Sequence, residues 1–216
     1  MAAICTALGL TGAPARIEAT VAFLSLLRRW NATYNLTAVR EPQAMLAQHV
    51  ADCLAAVAAI GREPGAAAAR RILDVGSGGG LPGVLIAIFR PEAQVTCVDA
   101  VGKKAAFVRQ VAGTLSLPNL RAEHARVESL TGEQFDLIVA RAFATLADLV
   151  RVTRPLLAEG GRWMAMKGAV PDAEIAGLPA GVDVFHVEPL AVPGLDARRC
   201  LVWMRLRRDS PEPAGA

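Results

Sequence analysis

Five glycines cluster within eight residues of the segment DVGSGGGLPG, which runs from Asp74 to Gly83. A predicted strand ends here and a predicted helix begins, and in an open α/β sheet this is where ligands bind. Glycines permit positive φ angles and let the backbone approach a ligand without an intervening Cβ atom. The helix N-terminus offers free N–H groups to a carboxylate or a phosphate. The segment therefore predicts a site for a nucleoside-containing ligand, since a tight turn alone needs only one or two glycines.

Two ligands are compatible with this loop on residue types alone. The stretch from Gly78 to Gly83 satisfies the GxGxxG pattern of dinucleotide binding, and Asp99 lies 21 residues after Gly78, near the usual position of the ribose-binding acid. In contrast, the carboxylate of Asp74, two residues before Gly76, favours a cationic ligand such as S-adenosylmethionine. No second βαβ half with its own glycine turn follows. We therefore favour S-adenosylmethionine, and a NAD(P)-dependent oxidoreductase is the alternative.

The elements that must position this loop follow from the hydrophobic pattern. Two amphipathic helices, over 14 to 30 and from Pro42 to Gly61, precede a linker at 61 to 69 that is rich in helix breakers and small residues. The predicted strands are 71–75, 94–98, 120–124, 135–140, 162–166, 182–187 and 199–205, and the predicted helices are 81–89, 103–115, 145–157 and a short one after Pro171. Alternating strands and helices predict an α/β sandwich with a mostly parallel sheet. The short Pro193-Gly194 connection predicts that the last two strands pair antiparallel.

This pattern divides the chain into a helical extension at 1–62, a ligand-binding domain at 70–206 and a disordered tail at 207–216. With 216 residues, 53% of them hydrophobic, and a net charge of +3, wholesale disorder is excluded. No run of about 18 apolar residues lacks a charge or a breaker, so we expect no membrane helix. The four cysteines form no CxxC pair, which predicts no metal site and reduced thiols, as in the cytoplasm.

Further segments extend the glycine loop into a family pattern. DVGSGGGLPG resembles the first motif of class I S-adenosylmethionine-dependent methyltransferases. The other segments are NATYNLTAV (31–39), QHVADC with His49 and Asp52, the LPG that ends the loop, VDAVGKKAAFVRQV (98–111), ARVESL (125–130), ARAFATL (140–146) and MAMKG (164–168). Taken in this order, they resemble the ribosomal small-subunit methyltransferase G family, also called glucose-inhibited division protein B, from about residue 30 to 205.

The resemblance implies a Rossmann-like class I methyltransferase sandwich with a seven-stranded sheet. It also implies methyl transfer from S-adenosylmethionine to N7 of a guanine in a conserved loop of small-subunit (16S) rRNA. The cofactor-binding residues that it implies are Gly76, Leu81, Asp99 for the ribose hydroxyls, Val127 and Glu128 at the adenine end, and Arg141, which closes the site. The glycine loop itself adds Asp74 and Gly78 as cofactor-binding candidates. Two positions depart from the family pattern: Gly79 stands where proline is common, and Cys53 replaces a usual serine.

The implied chemistry requires positioning and no acid or base. Guanine N7 has an exposed lone pair and no proton at neutral pH, so we interpret Arg141 as an orienting donor. The alternative for Arg141 is an ion pair with Asp136 or Asp148, and the alternative for Asp99 is a cap on the helix at 103–115. His49 fits a hydrogen-bonded core histidine better than a substrate ligand, and Asp52 lies close enough on the same helix to pair with it.

The candidates for RNA contact are basic, amide and aromatic side chains near the same sheet edge. They are Asn35, Lys103, Arg126, Phe143 and Lys167, together with Lys104, Arg109 and Tyr34. Phe143 could stack on a splayed base or pack in the core. The expected partner is small-subunit rRNA or the small ribosomal subunit particle, with the chain acting as a monomer. A non-catalytic ribosome-assembly factor is a second alternative.

Overall fold

A seven-stranded sheet forms the centre of the computed structural model, which describes residues 1–10, 14–37, 39 and 41–207. The strands are β1 (Arg71–Val75), β2 (Gln94–Asp99), β3 (Leu120–His124), β4 (Phe135–Arg141), β5 (Leu157–Lys167), β6 (Val182–Pro189) and β7 (Cys200–Leu206). Their order is β3-β2-β1-β4-β5-β7-β6. The first five strands are parallel, and β7 is antiparallel to both of its neighbours. The predicted sandwich with an antiparallel last strand is confirmed.

Helices cover both faces of this sheet. They are α1 (Ala2–Ala7), α2 (Pro14–Tyr34), α3 (Pro42–Met45), α4 (Asp52–Arg62), α5 (Pro64–Ala67), α6 (Gly83–Phe89), α7 (Gly102–Thr114), α8 (Leu146–Thr153) and α9 (Asp172–Ala176). Helices α2, α4, α6 and α7 share one hydrophobic cluster with the sheet, and α8 packs in a second cluster on the opposite face. Adjacent residues of β1 belong to different clusters, Ile72 to the first and Leu73 to the second, which explains why the strand reads as a continuous apolar run.

The helical region before the sheet is divided into more helical segments than the sequence predicts. The single helix expected from Pro42 to Gly61 is divided into α3, a π-helical turn at Leu46–Ala51, and α4. The expected linker at 61–69 is partly helical, because α4 continues to Arg62 and Pro64 starts α5. Proline is favourable in a first helical turn, and the Glu63 side chain caps α5 by accepting from the Ala66 amide.

Two predicted helix ends are wrong. The helix expected over 145–157 ends at Thr153, and after a 3₁₀ turn at Arg154–Leu156 the chain enters β5 at Leu157, five residues earlier than the predicted strand. Pro155 supplies no N–H to continue the helical hydrogen bonds. The helix expected from residue 81 begins two residues later, at Gly83, with Pro82 at the N-cap.

The N-terminal helices share their core with the sheet layer. Phe23 and Leu27 of α2 are completely buried, and the Phe23 ring centroid lies 6.3 Å from that of Phe107 on α7. Trp30 of α2 also contacts Phe107, with centroids 5.4 Å apart. The boundary predicted between residues 62 and 70 stays a prediction, and the predicted tail beyond residue 207 lies outside the described residues. No helix within the described ranges has the length and apolar character needed to span a membrane.

Candidate functional site

The glycine loop connects the end of β1 to the start of α6. Gly76, Gly78 and Gly80 have φ angles of 65°, 57° and 77°, a region that side-chain-bearing residues rarely adopt. The amides of Gly76 and Ser77 donate to the Val98 carbonyl near the end of β2, at 2.9 and 3.1 Å. The loop is therefore folded against the carboxyl ends of β1 and β2.

The glycines of this loop serve two different purposes. A Cβ atom at Gly80 would lie 2.5 Å from Val84 Cγ2, and one at Gly83 would collide with Cys97 Sγ, so these two allow close packing of α6. A Cβ atom at Gly76 or Gly78 would meet nothing closer than 3.9 Å. Packing therefore does not explain these two glycines, which leave open space beside a backbone with positive φ. That combination fits a cradle for a ligand.

Asp99 is the last residue of β2, and its carboxylate binds the backbone of the glycine loop. Its Oδ2 accepts from the Gly78 amide (2.9 Å), its Oδ1 accepts from the Val101 amide (2.8 Å), and Lys104 Nζ lies 3.7 Å from Oδ2. Helix α7 begins at Gly102 with Val101 at its N-cap and no side-chain cap. The alternative in which Asp99 caps this helix is therefore wrong, and one carboxylate oxygen binds the glycine loop instead.

Asp74, a residue of β1, is completely buried against the first turn of α6. Its Oδ2 accepts from the Gly83 amide (2.8 Å), and its Oδ1 has no hydrogen-bond partner among the described residues. Burial raises the pKa of Asp74 to about 7, although the Gly83 hydrogen bond and the charge of Arg141 act in the opposite direction. Asp74 thus anchors α6 in the structure, and its contact with a cationic ligand stays a prediction.

A cavity of about 500 Å³ opens where β4 and β5 end and β7 begins. It is lined by His49, Asp52, Arg141, Ala142, Met166, Lys167, Gly168, Leu190, Arg199 and Cys200. Arg141 is the last residue of β4, and Ala142 turns the chain there with a φ of 56°. A non-glycine residue in this region is uncommon, and such conformations cluster at functional sites. The lining thus combines three cationic side chains with one carboxyl group.

Arg141 contacts His49 and neither of the two acids considered from the sequence. Arg141 Nη1 lies 3.2 Å from His49 Nδ1, and His49 Nε2 lies 2.6 Å from Thr37 Oγ1. Asp136 instead accepts from the Arg70 and Arg71 amides, and Asp148 from Thr145 and Arg151. The alternative of an Arg141 ion pair with Asp136 or Asp148 is therefore wrong.

Asp52 pairs with Arg199, a residue that the sequence analysis missed. Arg199 Nε lies 3.2 Å from Asp52 Oδ1. Burial raises the pKa of Asp52, and the charges of Arg199 and Arg141 oppose that shift. The sequence contained a signal for Arg199. An antiparallel last strand begins at the sheet edge where the parallel strands end, so a residue at its start lies near the site. Cys200, the neighbour of Arg199, accordingly pairs with Lys167 at the end of β5.

The structure brings some predicted RNA-contacting residues to this edge. Lys167 lines the cavity, where Glu174 of α9 binds its Nζ with both carboxylate oxygens (3.0 and 2.8 Å). Phe143 is half-buried against the second hydrophobic cluster, and its ring is the nearest group to the open side of Gly76. Both interpretations of Phe143, packing and ligand contact, are compatible with this position.

The remaining predicted residues lie elsewhere and do not line the cavity. Val127 is buried in a 3₁₀ turn, whereas its neighbour Glu128 is exposed and 3.8 Å from Arg126. Leu81 is buried within the loop. Five candidates for RNA contact have exposed side chains, namely Tyr34, Asn35, Lys103, Arg109 and Arg126. Arg109 Nε donates to the Ala122 carbonyl, and Tyr34 packs on Trp30 with ring centroids 4.9 Å apart. Within the described part of the chain, no group of three or more His, Cys, Asp or Glu residues is arranged to hold a metal ion.

Solved structures share this architecture. The crystal structure of TrmN from Thermus thermophilus superposes with a TM-score of 0.56 at 22% identity, covering 70% of this chain and 48% of TrmN. The 1,6-didemethyltoxoflavin-N1-methyltransferase of Burkholderia thailandensis superposes with a TM-score of 0.56 at 18% identity, covering 73% of this chain and 79% of that protein. The sheet order, the antiparallel β7 and the glycine loop beside Asp99 define a Rossmann-like fold of the kind that methyltransferases have.

The chain belongs to the rRNA small subunit methyltransferase G family, whose model matches residues 16–202. It is 60% identical over 201 residues to the Ribosomal RNA small subunit methyltransferase G of Leptothrix cholodnii, covering 93% of this chain and 92% of that protein. The protein of the same name from Bordetella avium is 50% identical over 201 residues, covering 93% of this chain and 90% of that protein. The resemblance seen in the sequence is confirmed.

Proposed function

We propose that the protein transfers the methyl group of S-adenosylmethionine to N7 of a guanine in small-subunit (16S) rRNA. One observation carries this proposal: the glycine loop with Asp99 and the cavity lined by Arg141 lie at the same carboxyl edge of the sheet. The names of the relatives supply the RNA, and the family resemblance supplies the guanine and its N7 atom.

The residues at the loop fit S-adenosylmethionine. Gly76 and Gly78 present backbone with open space, and the Asp99 carboxylate stands at the end of β2, where ribose hydroxyls are bound in sheets of this type. Leu81, Val127 and Glu128 complete the cofactor side in this proposal. When bound, S-adenosylmethionine supplies an electrophilic methyl group on a positively charged sulfur.

The cavity fits a single base. Its volume of about 500 Å³ lies within the range of small-molecule pockets, and Met166 and Leu190 add apolar surface to its charged lining. Sequence-specific RNA recognition takes a base out of the stack and holds it between such surfaces. Phe143 lies next to the open side of Gly76, and we assign its ring to the contact between the cofactor and the base.

The proposed reaction requires the protein to hold its two substrates and to orient them. N7 carries the attacking lone pair, so no side chain needs to remove a proton. Alignment of the reacting atoms at near-attack distance is worth effective molarities of about 10⁵ M or more. Arg141 has only N–H donors, and we assign it to hold an acceptor of the base or a phosphate on the cavity side. Lys167 and Arg199 line the same cavity, each paired with a carboxylate, Glu174 and Asp52, and in this proposal RNA phosphates exchange with those carboxylates.

Three exposed side chains extend the RNA surface in this proposal, namely Asn35, Lys103 and Arg126. Contacts of this kind bind phosphates and position the RNA without reading its sequence. We place the reaction in the cytoplasm and assign it to a monomer. Sedimentation of the protein with and without small-subunit particles tests both the monomer and the partner.

The test is methyl transfer to RNA from cells that lack the enzyme. The protein is incubated with labelled S-adenosylmethionine and either 16S rRNA or small ribosomal subunits from such a strain. We expect label in one nucleotide, which digestion and mass spectrometry identify as 7-methylguanosine. Label on another atom would overturn the assignment of N7. RNA binding without any label would support the alternative of a non-catalytic assembly factor, and calorimetric binding of NADH in place of S-adenosylmethionine would support an oxidoreductase.

A further inference from the structure

We propose that His49, as the neutral tautomer protonated at Nε2, is a positioning residue. It holds Arg141 in place at the cavity that is proposed to bind the base, called the base cavity below. This inference rests on the proposed function for its kinetic consequence, but its structural part can be tested without activity. Both side chains line the cavity, although 92 residues separate them in the chain.

The tautomer follows from the chemistry of the two partners. A guanidinium group has N–H donors and no acceptor, so the contact between Arg141 Nη1 and His49 Nδ1 at 3.2 Å requires a lone pair on Nδ1. The ring proton must then sit on Nε2, where Thr37 Oγ1 lies 2.6 Å away and accepts it. An imidazolium ring would place a second donor against the guanidinium and add a like charge.

The far side of His49 is fixed by a chain of hydrogen bonds that begins on α2. Asn31 is buried, its Oδ1 accepts from the Thr37 amide (2.8 Å), and its Nδ2 donates to the Val39 carbonyl (3.3 Å). Thr37 Oγ1 also accepts from the Val39 amide (3.2 Å). Asn31 therefore fixes the segment that presents Thr37 to His49, and His49 in turn presents an acceptor to Arg141.

Arg141 needs such an anchor because of where it stands. It is the last residue of β4, and Ala142 takes the chain out of the strand with a positive φ. A long side chain at a strand end retains rotamer freedom unless a partner fixes it. His49, on the π-helical turn, also lines the cavity and holds one guanidinium nitrogen, and we expect the other N–H groups to bind the substrate.

The first test reads the tautomer by nitrogen NMR of the three histidine rings, His49, His124 and His186. His124→Gln and His186→Gln variants assign the His49 signals. We expect a neutral ring protonated at Nε2 in the free protein, and an altered Nδ1 shift in Arg141→Gln. A ring protonated at Nδ1, or an imidazolium ring at neutral pH, would overturn the inference whether or not the protein methylates RNA.

The second test compares substitutions that keep or remove the acceptor. His49→Asn places an amide oxygen near the position of Nδ1, whereas His49→Leu removes the acceptor at similar size. We expect His49→Leu to lower kcat by about 10- to 100-fold, since a small misplacement of a positioning group has effects of that order, and His49→Asn to recover most of it. The affinity for S-adenosylhomocysteine should stay unchanged in both. His186→Leu, on the exposed face of β6, is the matched control.

A double-mutant cycle separates positioning from simple loss of stability. In an Arg141→Gln background, His49→Leu should have little further effect on kcat, because the group that it positions is already absent. Equal effects of His49→Leu in both backgrounds, or a His49→Asn variant as impaired as His49→Leu, would overturn the proposal. If the wild-type protein transfers no methyl group at all, the proposed function fails, and the NMR result alone decides the tautomer.

Discussion

Asp99 combines a structural contact with a proposed ligand contact, because its two oxygens bind the amides of Gly78 and Val101 at the edge where the ribose is expected. Asp99→Ala removes both acceptors. We expect at least a tenfold loss of affinity for S-adenosylmethionine, about 1.4 kcal/mol, measured by calorimetry. Asp183→Ala, which removes an exposed carboxylate paired with Arg205, should bind as the wild type does. Unchanged affinity of Asp99→Ala would remove this residue from the site.

Asp74 makes the stability of the protein depend on pH in an unusual direction. Burial raises its pKa from 3.8 to about 7, so the folded state binds the proton more tightly than the unfolded state does. The contribution to stability is therefore complete below about pH 4 and is lost as the pH rises through about 7. In urea unfolding, Asp74→Asn should remove this dependence, on the order of 4 kcal/mol over the whole range.

The control for this prediction is Asp148→Asn. Hydrogen bonds from Arg151 and Thr145 lower the pKa of Asp148 in the folded state, so above about pH 5 this carboxylate is ionised in both the folded and the unfolded state. Its substitution should leave the slope of unfolding free energy against pH unchanged between about pH 5 and pH 8. An Asp74→Asn variant with the same slope as the wild type would contradict a raised pKa at this residue.

The sequence predicted the contacts that lie close along the chain better than those between distant segments. Gly78 and Asp99 are joined by one βαβ unit, whose geometry is general, so their association at the loop was predictable. The contact of His49 with Arg141 depends on how α2 and the π-helical turn pack against the sheet. No periodicity encodes that packing, so the sequence suggested Asp136 and Asp148 as partners of Arg141 instead.

At the scale of elements, the approach of α6 to β2 depends on one glycine. A Cβ atom at Gly83 would collide with Cys97 Sγ and lie 2.8 Å from Asp74 Oδ2. Gly83→Ala should therefore lower the free energy of unfolding by about 3 kcal/mol, measured by urea denaturation. Gly61→Ala in α4 is the matched control, because nothing lies within 4 Å of its Cβ position, and it should stabilise the helix by about 0.5 to 1 kcal/mol. Equal stability of the two variants would contradict this packing.

Strands were predicted better than helix ends for a physical reason. A strand buried on both faces, such as β1, must be apolar throughout and is visible as a short run. Helix ends depend on local hydrogen bonds, as at Pro155, where β5 begins only two residues later. The π-helical turn at Leu46–Ala51 keeps the apolar character of its neighbours, so its different hydrogen bonding could not be predicted from the hydrophobic pattern.

At the scale of the whole molecule, the helices before residue 62 and the sheet share one core. Phe23→Ala in α2 should therefore lower the stability of the sheet by about 3 to 5 kcal/mol, as expected for a buried phenylalanine. In a Trp30→Phe background, fluorescence reports only Trp163 and Trp203, both within the sheet. We expect their unfolding midpoint to shift together with the circular dichroism signal. An unshifted midpoint would show that the extension unfolds independently.

The position of β7 sets an order for completion of the sheet during synthesis. β6 is made before β7, yet β7 lies between β5 and β6 and supplies the described strand pairing of β6. A nascent chain that has emerged only as far as β6 can form the parallel part of the sheet, but β6 has no strand to join. The arrival of Cys200–Leu206 pairs β6 and brings Arg199 to Asp52 in the same step. The cavity lined by Arg141 is thus finished last, after the glycine loop already has its strands.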